Sequence, residues 1–196
     1  MEKKNNLCRG DPVLSILAGV FLLFYDIPLA FVAALMVVNG SLKELEISGL
    51  CLFAFVVLAV AVLLFCRKAK AAASLVTVAA VLVVLYFLPQ ILELLRGEIP
   101  EDPSSLLYTV FSLGQILAWT LLATALFLCG RLALPLTFLS AAAALASCLA
   151  NFISFFVPGH AAGHPSPINV IPVMFAISVV CIGLWLRSVV RGSSRE

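Results

Sequence analysis

Asp26, Gln90, Gln115 and Asn151 are polar side chains set inside long apolar runs. A carboxylate there is costly in lipid and faces a bundle interior or a water-filled cavity, where it holds a proton, a cation or a solute. The alternative for Asp26 is a carboxyl that caps a neighbouring helix or reaches the headgroups. At about 100° per residue, Ser15, Gly19, Leu22, Asp26, Ala30 and Ala33 share one helix face. Leu17, Phe21, Phe24, Phe31 and Leu35 lie opposite. The first face suits close helix packing, and the second suits lipid.

A second stripe has the same character. Ser140, Ala144, Ser147, Asn151 and Ser154 align, while Phe138, Leu149, Ile153 and Phe156 point away. Ala79, Tyr86, Gln90 and Glu93 form a third stripe, and Ser112, Gln115 and Trp119 a fourth. Asn151 also fits the simpler role of inter-helix glue. Asp26, Gln90, Gln115 and Asn151 therefore form the expected substrate-binding set, with Gln115 and Asn151 as donors at the depth of Asp26. The alternative is a group of unrelated side chains near an interface, where polarity costs little.

Other chemistries find less support. His160 and His164 have the HxxxH spacing of a zinc pair, but Pro158-Gly159-His160-Ala161-Ala162-Gly163-His164-Pro165 is loop sequence with no third ligand in view. No metal is expected. The six cysteines, at 8, 51, 66, 129, 148 and 181, contain no CxxC pair and read as small reduced residues, with Cys8 a weak acylation candidate. No Walker A, GxSxG, HExxH or paired-glutamate protease pattern is present, so no catalytic residue and no cofactor is assigned. No basic tract suggests nucleic acid.

The elements that carry these residues are long apolar helices. Of 196 residues, 63% are hydrophobic and 11% charged, against roughly 25% charged in soluble domains. Ile47–Cys66 has no charge, Arg67, Lys68 and Lys70 follow, and the chain then returns to apolar sequence. Twenty residues at 1.5 Å rise cover about 30 Å, the hydrocarbon thickness of a bilayer. Six spans are expected, near residues 13–38, 47–66, 71–95, 106–129, 132–157 and 168–186. They form an all-α, single-domain transmembrane bundle. The first span must continue through Pro28, because ending at Tyr25 leaves too few residues to cross.

Charge sets the expected orientation. Lys3, Lys4, Arg9, Arg67, Lys68, Lys70, Arg131, Arg187, Arg191 and Arg195 fall on one side, and Lys43 and Arg96 on the other. Both termini are therefore expected in the cytoplasm, with the chain in the plasma membrane. The opposite loops hold Glu44, Glu46, Glu98, Glu101 and Asp102. An aromatic pair precedes a proline in Phe24-Tyr25-Asp26-Ile27-Pro28, Tyr86-Phe87-Leu88-Pro89 and Phe155-Phe156-Val157-Pro158. These pairs read either as duplicated hairpins or as an aromatic belt.

The length and six-helix count resemble those of the small substrate-binding subunits of energy-coupling-factor transporters. The resemblance is architectural, has no shared motif, and implies only a membrane bundle. Two functional readings follow. The first is transport of a small solute or cation, or the substrate-binding membrane subunit of a transporter. The second is a non-catalytic protein that assembles with membrane partners or with itself through small-residue faces. An intramembrane enzyme is a third reading, without a motif behind it. The expected partners are the bilayer, a small solute or cation, and a membrane protein or second copy, with no nucleic acid.

Overall fold

The computed structural model describes residues 11–39, 44–97, 103–128, 132–154 and 171–193. These residues form seven helices: α1 (Pro12–Asn39), α2 (Glu44–Phe65), α3 (Ala69–Tyr86), α4 (Leu88–Leu95), α5 (Pro103–Leu128), α6 (Ala133–Ser154) and α7 (Ile171–Ser193). Five are long and apolar enough to cross a membrane: α1, α3, α5, α6 and α7. Helix α2 contributes the shorter apolar stretch Gly49–Phe65. The chain thus has the helical, apolar build of a multi-pass integral membrane protein.

The long helices pack in chain order. α1 lies on α2, α2 on α3, α3 on α5, α5 on α6, α6 on α7, and α7 closes back on α1. Hydroxyl groups tie three of these seams. Ser15 Oγ donates to Leu64 O at 2.6 Å between α1 and α2, and Ser178 Oγ donates to Ala18 O at 2.8 Å between α7 and α1. Between α5 and α6, Ser140 Oγ donates to Ala118 O at 2.6 Å, and Ser147 Oγ approaches Phe111 O at 3.1 Å. Such bonds need small residues at the contact. In lipid the seam gains no hydrophobic drive, so close packing and polar ties hold it.

Glycine permits the closest approaches. A Cβ at Gly114 of α5 would strike Ser147 Oγ and stand 3.0 Å from Ala143 O. A Cβ at Gly183 of α7 would strike Thr137 Oγ1 and stand 2.9 Å from Thr137 Cβ on α6. The outward faces carry bulky apolar residues instead. Val13, Leu17, Phe24, Phe31, Phe55, Val62, Leu117, Leu139 and Leu149 are all exposed. Large apolar surfaces turned outward suit lipid as the solvent.

The turn between α2 and α3 takes three residues. Lys68 N–H donates to Leu63 O and Arg67 N–H to Leu64 O, with Arg67 in the left-handed region at φ 57°. This is the helix-ending motif that glycine usually serves. Here an arginine holds it, which keeps three basic side chains at the turn.

The apolar run at 71–95 departs from the single span expected of it. The structure divides it at Phe87 into α3 and α4. Pro89 lacks the N–H that would continue the ladder to Leu85 O, and it sits in the first turn of α4, where a helix tolerates proline; Phe87 carries the break at φ −92°, ψ 6°. Leu88, Pro89, Leu92, Glu93 and Leu95 of the short α4 are exposed.

Candidate functional site

The centre of the ring is aromatic. Tyr25 of α1, Phe53 of α2, Trp119 of α5 and Phe175 of α7 meet there. Trp119 and Phe175 stack with centroids 4.4 Å apart, and Tyr25 lies 5.2 Å from Phe175 and 6.1 Å from Trp119. Phe53 meets Trp119 in a T-shaped contact with centroids 5.4 Å apart. α1 and α5 are opposite members of the ring, so the Tyr25–Trp119 contact spans its middle. Four helices need a filler at this level, and flat rings in offset and edge-on contact provide it.

Asp26 follows Tyr25 in α1, and Gln115 precedes Trp119 by one turn in α5. These helices run antiparallel, so both residues lie on the same side of the aromatic layer, displaced along the axis by about 1.5 and 6 Å. Both are buried, Asp26 retaining 4% and Gln115 6% of their surface. Asp26 Oδ1 and Gln115 Nε2 are enclosed without a hydrogen-bond partner among the described residues. Trp119 Nε1 is also unpartnered beside the Tyr25 phenol, and Trp185 Nε1 is a fourth such atom, on α7. Buried polar groups are normally paired. An isolated buried carboxylate is costly until a proton, a cation or a donor neutralises it. An acceptor, Asp26 Oδ1, and a donor, Gln115 Nε2, thus stand unfilled on one side of the aromatic layer.

The other expected positions are placed differently. Asn151 is half-buried on α6, in line with the buried Ser140, Ala144 and Ser147. Gln90 belongs to α4, outside the ring of long helices, and its side chain lies outside the described residues. Tyr86 and Glu93, expected on the same stripe as Gln90, are exposed, so that stripe does not form an interior face. Ser112, Gln115 and Trp119 are all buried on α5. On α1 the expected face is buried through Ser15, Gly19, Leu22 and Asp26, but Ala30, beyond Pro28, is exposed. Ala33, Ser154, Phe155–Pro158, His160 and His164 lie outside the residues whose side chains are described, as do Cys8, Cys129 and Arg131.

Tyr25, Phe53 and Phe175 are site residues that sequence reasoning missed. The signal was present in the aromatic pairs. Phe24 is exposed and Tyr25 buried; Tyr86 is exposed and Phe87 buried. In each described pair one ring faces out and the next faces in. An aromatic belt accounts only for the outward members.

Comparison of the chain with protein-family models, with curated proteins and with solved structures finds no match in any of the three.

Proposed function

We propose that this protein binds a small solute or cation within its helix ring, as a small transport protein or as the substrate-binding membrane subunit of a transporter. The observation behind this reading is the pair of buried, unpartnered polar atoms, Asp26 Oδ1 and Gln115 Nε2, on one side of the central aromatic layer. A ligand with positive charge or a donor toward Asp26 and an acceptor toward Gln115 satisfies both. The aromatic layer of Tyr25, Trp119 and Phe175 closes the site on one side. Asn151 and Gln90 belong to the proposed set on sequence grounds. Six crossings, with both termini on the cytoplasmic side of the plasma membrane, complete the proposal. Its support is the uneven distribution of lysine and arginine.

The assembly reading rested on small-residue faces. Ser140 and Ser147 of those faces are bonded within the ring, while Ala30 of the α1 face and Ala142 of α6 are exposed. The transport reading is tested in liposomes holding wild type or Asp26→Asn at equal density. Flux of sodium, potassium and small organic ammonium ions is followed against a pH gradient. Wild type is expected to show a flux that changes with pH, and Asp26→Asn to lose that dependence. Indistinguishable profiles across the series would remove Asp26 from the mechanism.

A further inference from the structure

An apolar groove on the outer surface between α3 and α5 lies apart from the central layer. It is lined by Thr77, Ala80, Val81, Val84 and Leu85 of α3 and by Thr120, Ala123, Thr124, Phe127 and Leu128 of α5, and its volume is about 480 Å³. The five lining residues of each helix are spread over nine positions, a length of about 12 Å. Its polar atoms are already engaged. Thr77 Oγ1 donates to Ala73 O at 2.9 Å, Thr120 Oγ1 to Ile116 O at 2.8 Å and Thr124 Oγ1 to Thr120 O at 2.8 Å. The hydrogen of each hydroxyl is committed to its own helix, so the groove has no donor left for a polar ligand.

Charge selects the occupant. Lys70, Thr77 and Val84 are spaced by seven, which places them on one stripe of α3. Thr77 and Val84 line the groove, and Lys70 stands exposed about 10 Å below Thr77, at the first turn of the helix. Lys68 is exposed beside it, and among the described residues neither ammonium group has an ion-pair partner. An apolar groove with an exposed lysine about 10 Å beyond its end, on the same stripe of α3, fits an amphiphile with an acyl tail and an anionic head. We propose that the groove holds one acyl chain of an anionic phospholipid from the leaflet at the Lys68–Lys70 end, with its phosphate at Lys70. A lysine near an anionic surface contributes about 1 kcal/mol, close to a fivefold preference.

The test is native mass spectrometry of the full chain, delipidated in detergent and then titrated with dioleoyl-phosphatidylglycerol or dioleoyl-phosphatidylcholine. Wild type is expected to retain the glycerol lipid over the choline lipid by about fivefold. Lys70→Gln should remove most of that preference while still binding both lipids. Arg187→Gln, exposed at the same end but on α7 across the ring, should leave it intact. Thr124→Trp places an indole in the groove and should reduce retention of both lipids. Thr124 is exposed, and a melting curve verifies that this variant is folded. Equal retention of the two lipids by wild type would overturn the proposal. So would a preference that survives Lys70→Gln, or lipid binding unchanged in folded Thr124→Trp. A change of oligomer mass in Thr124→Trp without lipid loss would assign the groove to a second copy instead and overturn it equally. None of these readouts depends on Asp26.

Discussion

Asp26→Leu is expected to unfold in detergent at the wild-type temperature or above it. Removing a buried polar group is costly when it strands a partner, but no described residue donates to Asp26 Oδ1. Replacing an uncompensated buried polar group with an apolar one is neutral or stabilising, and groups kept for function often carry such a cost. Loss of 1 kcal/mol or more in Asp26→Leu would mean that the carboxyl holds the fold together. The seam hydroxyls should behave in the opposite way. Ser140→Ala deletes the bond to Ala118 O and should cost about 0.6 kcal/mol, a typical value between membrane helices, read from unfolding curves. At this scale the sequence was legible where polarity is rare. Asp26, Gln115, Ser140 and Ser147 stand out in apolar runs, and all four are buried. Tyr25, Phe53 and Phe175 were not legible, because an aromatic ring suits the centre of a bundle and its lipid face equally well.

Helix α5 meets α6, and α6 meets α7, at contacts that leave no room for a methyl group. Gly114→Ala should therefore destabilise the protein by about 1–3 kcal/mol, as overpacking does, because a backbone carbonyl and a tied serine must both give way. Gly183→Ala should behave alike against Thr137. Gly49→Ala, with nothing within 4 Å of the added carbon, should be neutral or slightly stabilising. Equal effects at Gly49 and Gly114, compared by thermal unfolding, would contradict the packing of α5 on α6. Helix positions were readable from the sequence because apolar length is a strong signal. The break at Phe87 was not, since the apolar run continues on both sides and only Pro89 marks it. Pro28 carries the same chemistry, yet α1 runs through it from Pro12 to Asn39. Proline alone thus does not decide between passage and interruption; the packing of the flanking turns does.

The molecule as a whole is a ring of helices in chain order with a filled aromatic middle, and its proposed orientation is open to labelling. In a background without native cysteines, Ser104→Cys should react with a membrane-impermeant maleimide in intact cells, and Lys68→Cys should not. Reaction at Lys68→Cys alone would invert the orientation. The membrane class was legible from composition, since 63% hydrophobic residues cannot be hidden in a core of this size. Ring closure of α7 onto α1 was not, because it depends on Ser178 meeting Ala18, 160 residues away, with no local signal. The proposed site requires that Asp26 serve a ligand and not the fold. It is tested most directly by thermal unfolding of wild type and Asp26→Asn across a panel of inorganic cations, small ammonium ions, amides and zwitterionic solutes. At least one class is expected to stabilise wild type, by about 2.7 kcal/mol at a hundredfold excess over Kd. No such response is expected in Asp26→Asn, whose ligand-free stability should equal or exceed that of wild type. The same ligand response in both proteins, or a folded wild type that no class stabilises, would contradict it.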